Sequence, residues 1–335
     1  MKYYIYPLRF LTPVHFGNVS SGGGLEKVTL TYSSDTLFSA ICSELASQPA
    51  VLQQIKEAVE KRTLVLSGLF PYFATKKELE LYLPKPILNL SRQKTLTGYK
   101  ETKILATQLK KVKKMAYVRT ILLSAGDTNK ANFKALDTEE GRSFGRMLVT
   151  EKVNKRRDQS EPYFVGGYQF VPDAGLYMIV GFESDEQKLF FDQLVELIGL
   201  TGIGGERSSG YGKFELLQEA IEVTNDKKQD KDIKALARLL GKPKARMYMA
   251  ISAIAPQADE LSIVKNGFYQ LIKRSGFVTS PVAQQAVKRN SCYLLAEGSC
   301  FSEPLQGRIL TMKAEGVAHD IYRNGLGVFV GVDYD

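Results

Sequence analysis

Cysteine and histidine are scarce in this chain, with three of the first and two of the second among 335 residues. The cysteines, Cys42, Cys292 and Cys300, are odd in number and show no CxxC spacing. That pattern fits plain thiols in a reducing compartment better than a disulfide framework. His15 and His319 are too few for a histidine-rich metal site, and neither HExxH nor GxSxG occurs, so no metal or cofactor is expected. Long apolar runs are missing too. The N-terminal MKYYIYPLRFLTPVHF is interrupted by Pro7, Arg9 and Pro13, unlike the apolar stretch of a signal peptide. No later run reaches the length of a membrane span. A cytoplasmic protein without a membrane partner is the expectation.

What the chain has is an excess of base. Lysine and arginine number 45 against 36 acidic residues, a formal charge of +9. A positive field attracts phosphate and releases its counterions, so RNA, DNA or another polyanion would fit as partner. Many basic proteins bind no nucleic acid, and charge alone does not choose. Apolar residues make up 44% and charged residues 24%, ordinary values for a globular protein with ample core. The length suggests two domains.

Tyr3 to Leu11 reads as a strand, followed by a flexible loop over 17–24. A first helix is predicted from near Asp35, with Ser34 as N-cap and Leu37, Phe38, Ile41 and Leu45 on one face. A second covers roughly Ala50 to Lys61. The middle, from about Thr75 to Glu161, is polar and carries two basic clusters. Lys100 to Arg119 holds seven basic side chains, and Lys152 to Arg157 reads KVNKRR between two extended segments. Either cluster could be a solvated face; the KRR turn, near Tyr163 and Phe164, is the better contact for RNA or another subunit. LYMIVGF after Gly175 reads as a fully buried strand. Phe190, Leu194, Leu197 and Ile198 predict a helical stripe that ends near Gly199. The glycine-rich loop follows, then a strand over Tyr211–Leu217.

This order, βαβ…βαβ, points to an α+β protein. Residues 1–224 would form a ferredoxin-like (RRM-like) domain with large basic insertions. Residues 225–245 would be a charged linker with a short helix over Ile233–Leu240. Residues 246–335 would form a second, degenerate ferredoxin-like domain. Its strands are expected near Arg246–Ala255, Cys292–Ala296, Arg308–Met312 and Val328–Val332, with one helix near Ala258–Lys265.

The loop from Gly202 to Gly212 has five glycines in eleven residues. Glycine admits positive φ and close approach of a ligand, and successive amides in such a turn can form an anion-binding nest. Arg207 adds a forked donor, Ser208 and Ser209 add hydroxyls, and Tyr211 adds a ring for base stacking. Two nucleotide motifs fail here. A GxGxxG reading places Arg207 at the last glycine; a GxxxxGK[ST] reading places Arg207 at the first and Phe214 at the Ser/Thr. Both motifs also run strand–loop–helix, whereas this loop runs helix–loop–strand. The plain alternative is a flexible connection.

The loop resembles the G-x-G-G-x-R-S-x-G-x-G-x-F segment of the RAMP superfamily of CRISPR proteins. Thr12-Pro13-Val14-His15-Phe16-Gly17, Ser33-Ser34-Asp35-Thr36-Leu37-Phe38-Ser39-Ala40 and Glu161-Pro162-Tyr163-Phe164-Val165-Gly166-Gly167 agree with it. With Ser275-Gly276-Phe277-Val278 and the terminal 325–332 segment, the chain closely resembles the Cas5-like subunit of the type III-A CRISPR Csm effector complex. The resemblance implies two RRM-like domains and a non-catalytic place at the foot of that ribonucleoprotein in antiviral defence. There the chain would grip the 5′ handle of the crRNA. It also implies two protein partners, the large polymerase-like subunit and the adjoining backbone RAMP subunit, and a hairpin near Lys152–Tyr163 that meets the guide–target RNA duplex near the handle.

On that reading Gly202, Gly204, Gly205, Arg207, Ser208, Ser209, Gly210 and Tyr211 would hold the handle, the amides of 202–210 taking its phosphates. His15, Asn18 and Ser20 would line the same face, and Ser34 would offer a helix N-terminus for a phosphate. Lys155, Arg156 and Arg157 would lie near the duplex. The contrasting reading is a metal-independent endoribonuclease that processes CRISPR RNA with His15 as general base, as some RAMP relatives do. His15 could equally hydrogen-bond the fold. Backbone RAMP subunits cut target RNA with a loop aspartate, but helix capping and dipole effects account for Asp35.

Overall fold

The computed structural model describes residues 1–17, 24–76, 78–88, 103, 115–125, 142–156, 159–276, 290–312 and 320–333. Asn18, Ser20, Arg157, Phe277, Val278, His319 and most of the Lys100–Arg119 cluster lie outside the described residues, as do the side chains of Lys155 and Arg156.

The chain opens on β1 (Lys2–Phe10), followed by helices α1 (Ser34–Glu44) and α2 (Pro49–Glu60). Strands β2 (Leu64–Ala74), β3 (Leu79–Pro84) and β4 (Tyr117–Arg119) come next, then the short helix α3 (Thr120–Ser124). Strands β5 (Gly145–Arg156) and β6 (Gln159–Phe170) form a hairpin, and β7 (Ala174–Phe182) leads into the long helix α4 (Asp185–Thr201). The short strands β8 (Phe214–Leu216) and β9 (Ile221–Glu222) complete a sheet of order β4-β3-β2-β7-β1-β8, with β9 also on β1. Every pairing in it is antiparallel.

After helix α5 (Lys231–Leu240) come β10 (Met247–Ala250), α6 (Leu261–Lys265), β11 (Leu271–Arg274), β12 (Cys292–Leu295), β13 (Cys300–Phe301), β14 (Leu310–Met312), β15 (Ile321–Arg323) and β16 (Phe329–Val332). A second antiparallel sheet runs β13-β10-β16, and β11-β12 and β14-β15 are separate ribbons. The architecture is mixed α/β with antiparallel sheets.

The central strands are buried on both faces, which is why they read as continuous apolar runs. Side chains alternate across a strand. Tyr4, Tyr6 and Leu8 of β1 therefore join Leu176, Met178 and Val180 of β7 in one core, covered by α1, α2 and α4. Ile5, Tyr177 and Ile179 enter another, shared with Met249, Val330 and Val332 of the second sheet. Fully burying one such aliphatic side chain contributes about 1.5–3 kcal/mol.

Helix α5 lies in the charged 225–245 stretch. Its Ile233, Leu236 and Leu239 are buried in the core shared by the two sheets. Asp232 is fully buried as well, and it accepts from Arg119 Nη2 at 2.8 Å and from Thr120 Oγ1 at 2.8 Å.

Three expectations are corrected. Helix α4 buries Phe191, Leu194, Val195 and Ile198, while Phe190 and Leu197 are exposed. Apolar residues lie all round this helix, so periodicity alone does not fix which stripe faces the sheet. It also runs past Gly199 to Thr201, and Gly202, at φ +81°, caps it. Helix α1 starts at Ser34 with Ser33 as N-cap.

Candidate nucleic-acid interface

The glycine-rich loop folds back on the segment after β1. Gly202 N–H donates to Ile198 O at 2.7 Å, Ile203 N–H to Gly212 O at 3.1 Å, Gly212 N–H to Pro13 O at 2.8 Å and Gly205 N–H to His15 O at 2.9 Å. Within the loop, Ser209 and Tyr211 N–H donate to Glu206 O, and Gly210 N–H to Arg207 O. Each amide has one proton to give. Of the phosphate nest expected over 202–210, the amides of Gly202, Ile203, Gly205, Ser209 and Gly210 already serve the fold and are not free to hold a phosphate. The glycines have a local reason. A Cβ on Gly204 would lie 2.7 Å from His15 O, and one on Gly205 would lie 2.6 Å from His15 Cδ2.

His15 is a hub between loop and hairpin. Its ring is buried, and its Nδ1 lies 2.7 Å from Gly166 O of β6. A carbonyl only accepts, so Nδ1 carries the proton. Val14 beside it pairs both ways with Tyr168, at 2.9 and 2.8 Å. The hairpin base is thus fixed to the same short segment that holds the glycine-rich loop.

A polar seam joins hairpin and loop on the outside. Lys152 of β5 donates to the Glu206 carboxylate, and to Ser209 Oγ at 2.9 Å. Ser209 Oγ donates to Glu206 Oε2 at 3.2 Å, and Thr150 Oγ1 lies 3.3 Å from Tyr211 Oη. The Lys152 ammonium stands 5.8 Å from the Tyr211 ring centre. The hydrogen bond from Lys152 lowers the Glu206 carboxyl below its ordinary range, and the same bond raises Lys152. Arg207 Nη1 lies 3.8 Å from Glu44 at the end of α1, with 30% of its side chain exposed. Ser208 and Ser209 are exposed and Tyr211 is half-buried.

The structure thus brings His15, Arg207, Ser208, Ser209 and Tyr211 together with the hairpin whose tip carries Lys155 and Arg156. It removes Ser34. That side chain is fully buried, and its Oγ accepts from Ala253 N–H at 2.9 Å. The phosphate expected at the α1 N-terminus is displaced by a protein carboxylate: Glu297 Oε1 accepts from Ser34 N–H at 3.2 Å and also from the Ser33 hydroxyl. Asp35 is sealed off too, between Arg274 Nη2 at 3.0 Å and Arg323.

The sequence reading gave no separate role to Lys152, Glu206 or Glu297. Glu206 had one signal, as the single acid of the loop. The Lys152 contact depends on hairpin register, and Glu297 on a packing across 263 residues of chain from Ser34, so neither is visible locally.

Among the described residues, no group of three or more His, Cys, Asp or Glu side chains could hold a metal ion. No helix there is long and apolar enough to cross a membrane.

Known proteins share this layout. The CRISPR Csm4 C-terminal domain matches residues 243–332. The CRISPR system Cms protein Csm4 of Mycobacterium tuberculosis is 30% identical over 323 residues, which cover 95% of this chain and 94% of that protein. Two solved structures have the same fold. A Csm3-Csm4 subcomplex of the type III-A CRISPR-Cas interference complex has a TM-score of 0.60 at 14% identity, covering 99% of each chain. A Csm1-Csm4 cassette in complex with pppApA has a TM-score of 0.59 at 17% identity, covering 99% of this chain and 98% of that one. The loop, the hairpin seated on it and the similarity along nearly the whole length converge: the chain belongs to the Csm4 family of CRISPR proteins.

Proposed function

We propose that this chain is the non-catalytic, RNA-binding subunit at the foot of a cytoplasmic type III-A CRISPR interference complex. It holds the 5′ handle of the crRNA and joins the large polymerase-like subunit to the backbone RAMP subunit. The observation that carries the reading is the junction at His15, where the glycine-rich loop and the basic-tipped hairpin meet on one segment. Arg207, Ser208, Ser209 and Tyr211 present side-chain donors and a ring to single-stranded RNA, whose splayed bases expose their edges. Lys155 and Arg156, at the far end of the hairpin, lie against the guide–target duplex, and Arg157 follows them in sequence. The Csm1-Csm4 and Csm3-Csm4 assemblies of relatives support the two protein partners.

Strand order β8-β1-β7-β2, reached by the paths β1-α1-β2 and β7-α4-β8, supports a ferredoxin-like N-terminal lobe. Residues 246–335 form a second, degenerate one, and 225–245 couple the two.

Co-expression with both partner subunits and a CRISPR array, followed by sequencing of the co-purified RNA, tests the function. The expected RNA carries a uniform repeat-derived 5′ end that is protected by this chain. Random RNA fragments would refute it. Cleavage of repeat RNA by the purified chain, lost in His15→Ala, would instead favour the endoribonuclease reading. The buried ring of His15, bound through Nδ1 to a carbonyl, argues against that role.

A further inference from the structure

The Glu206 contact is costly for the chain to make. Glu206 is one of two described non-glycine residues with positive φ, at +60°. Such a conformation costs a bulky side chain free energy, and glycine or asparagine would sit there more easily. What Glu206 gains is a charge-assisted contact. Its carboxylate takes the Lys152 ammonium and the Ser209 hydroxyl, two donors from different elements that also meet each other at 2.9 Å. Lys152 stands across the hairpin from Tyr163, diagonal to Glu161, yet it reaches away to the loop.

We propose that Lys152 Nζ and Ser209 Oγ form a subsite for one RNA phosphodiester, and that the Glu206 carboxylate fills this subsite in the free protein. The inference rests on the glycine-rich loop being an RNA-binding face. A carboxylate and a phosphodiester are both anions that accept from an ammonium and a hydroxyl, so one substitutes for the other in the same donor set. The site is open on one side. Ser209 is exposed, and Lys152 and Glu206 each keep about a fifth of their side chains in solvent, 23% and 22%. The Tyr211 ring, 5.8 Å from the ammonium, is placed to stack the base beside that phosphate. On binding, Glu206 swings out to water and the backbone phosphate takes its donors. Glu206 therefore weakens RNA binding in exchange for a hairpin that is already seated when RNA arrives.

The sign of one substitution separates this from a purely structural strap. A strap predicts that losing either partner loosens the hairpin and weakens binding. A placeholder predicts opposite signs for the two. The experiment uses the full chain, a short fluorescein-labelled single-stranded RNA of mixed sequence, and fluorescence anisotropy over a range of salt. Glu206→Gln is expected to tighten binding severalfold. Lys152→Gln is expected to weaken it and to lower the salt slope by about 0.7, the value of one phosphate contact to a single strand. Glu206→Asn, which tolerates positive φ, guards against a loop that fails to form with glutamine. Arg207→Ala serves as the reference for the face as a whole.

If both Glu206 variants bind RNA equally or more weakly while Arg207→Ala also loses affinity, the placeholder is overturned and the RNA-binding face stands. If Arg207→Ala and Lys152→Gln both bind as the parent does, the face and the subsite fall together.

Discussion

Asp35, in the first turn of α1, and Arg323, at the end of β15, form an ion pair in which both side chains are buried, at 0% and 1% exposure. Arg274 of β11 meets the other carboxylate oxygen, Oδ1, at 3.0 Å. Two arginines from the C-terminal part of the chain thus converge on one aspartate from the N-terminal part. The same helix end receives Glu297, so α1 is held at its start by three charged residues distant in sequence. That start belongs to the Ser33–Ala40 segment, one of those on which the resemblance to RAMP proteins rests. Its Asp35 carboxylate and its Ser33 and Ser34 hydroxyls already have protein partners.

Removing Asp35 alone leaves two arginines facing one another without their counter-ion. Asp35→Ala is expected to cost about 3–5 kcal/mol, the range for breaking one partner out of a buried pair. Urea unfolding followed by far-UV circular dichroism measures it. The double variant Asp35→Leu, Arg323→Met should recover part of the loss, because apolar groups of similar volume replace the pair. A loss below 1 kcal/mol for Asp35→Ala would show that the pair is not buried in solution.

His15→Ala removes the donor to Gly166 O and the ring against Gly205. Leaving that carbonyl unpaired in a buried setting costs about 1–3 kcal/mol. The effect should be local. Amide exchange should speed up at Val14, Tyr168 and Gly205, whose N–H groups close the hairpin base and the loop. Repeat RNA should stay intact with parent and variant alike. Unchanged exchange at these three amides would remove His15 from its hub position.

The thiols give a prediction that does not involve RNA. Burial pushes Cys42 and Cys300 each up to about 12, so almost no thiolate exists at neutral pH. Cys292, on β12, is half-buried, as Cys42 is, whereas Cys300 is buried. In the folded protein a thiol-disulfide reagent should label one of the three cysteines quickly, and Cys292→Ser should abolish that fast phase. Rapid labelling of Cys300 would contradict its burial in the core shared by the two sheets.

How much of this was legible in the sequence depends on range. Strands such as LYMIVGF and the apolar face of α1 are local patterns, and periodicity finds them. The glycine-rich loop was visible because its composition is unusual, and its helix–loop–strand setting excluded mononucleotide motifs. The use of its amides was not visible, because Gly205 N–H meets His15 O from 190 residues away, a contact that only the strand pairing β1–β8 creates. Ser34 shows the same limit from the other side. A serine before a helix reads as a cap and an anion site until Glu297 and Ala253 arrive from the C-terminal part of the chain.

Arg207 is the residue on which the proposed RNA-binding face can be tested most directly. Its guanidinium is part-exposed and lies 3.8 Å from Glu44, a loose contact that holds the side chain at the loop surface without using all five donors. Arg207→Ala is expected to weaken binding of single-stranded RNA by about 1–3 kcal/mol, the worth of a charge-assisted hydrogen bond. Glu44→Gln provides the control. It frees Arg207 and removes a nearby negative charge, so affinity should hold or rise, whereas loss of a structural contact would lower it. Thermal unfolding of both variants should stay close to the parent, because a loose, part-exposed ion pair contributes about 0–1 kcal/mol. A folded Arg207→Ala variant with parental affinity would take the loop out of the RNA site.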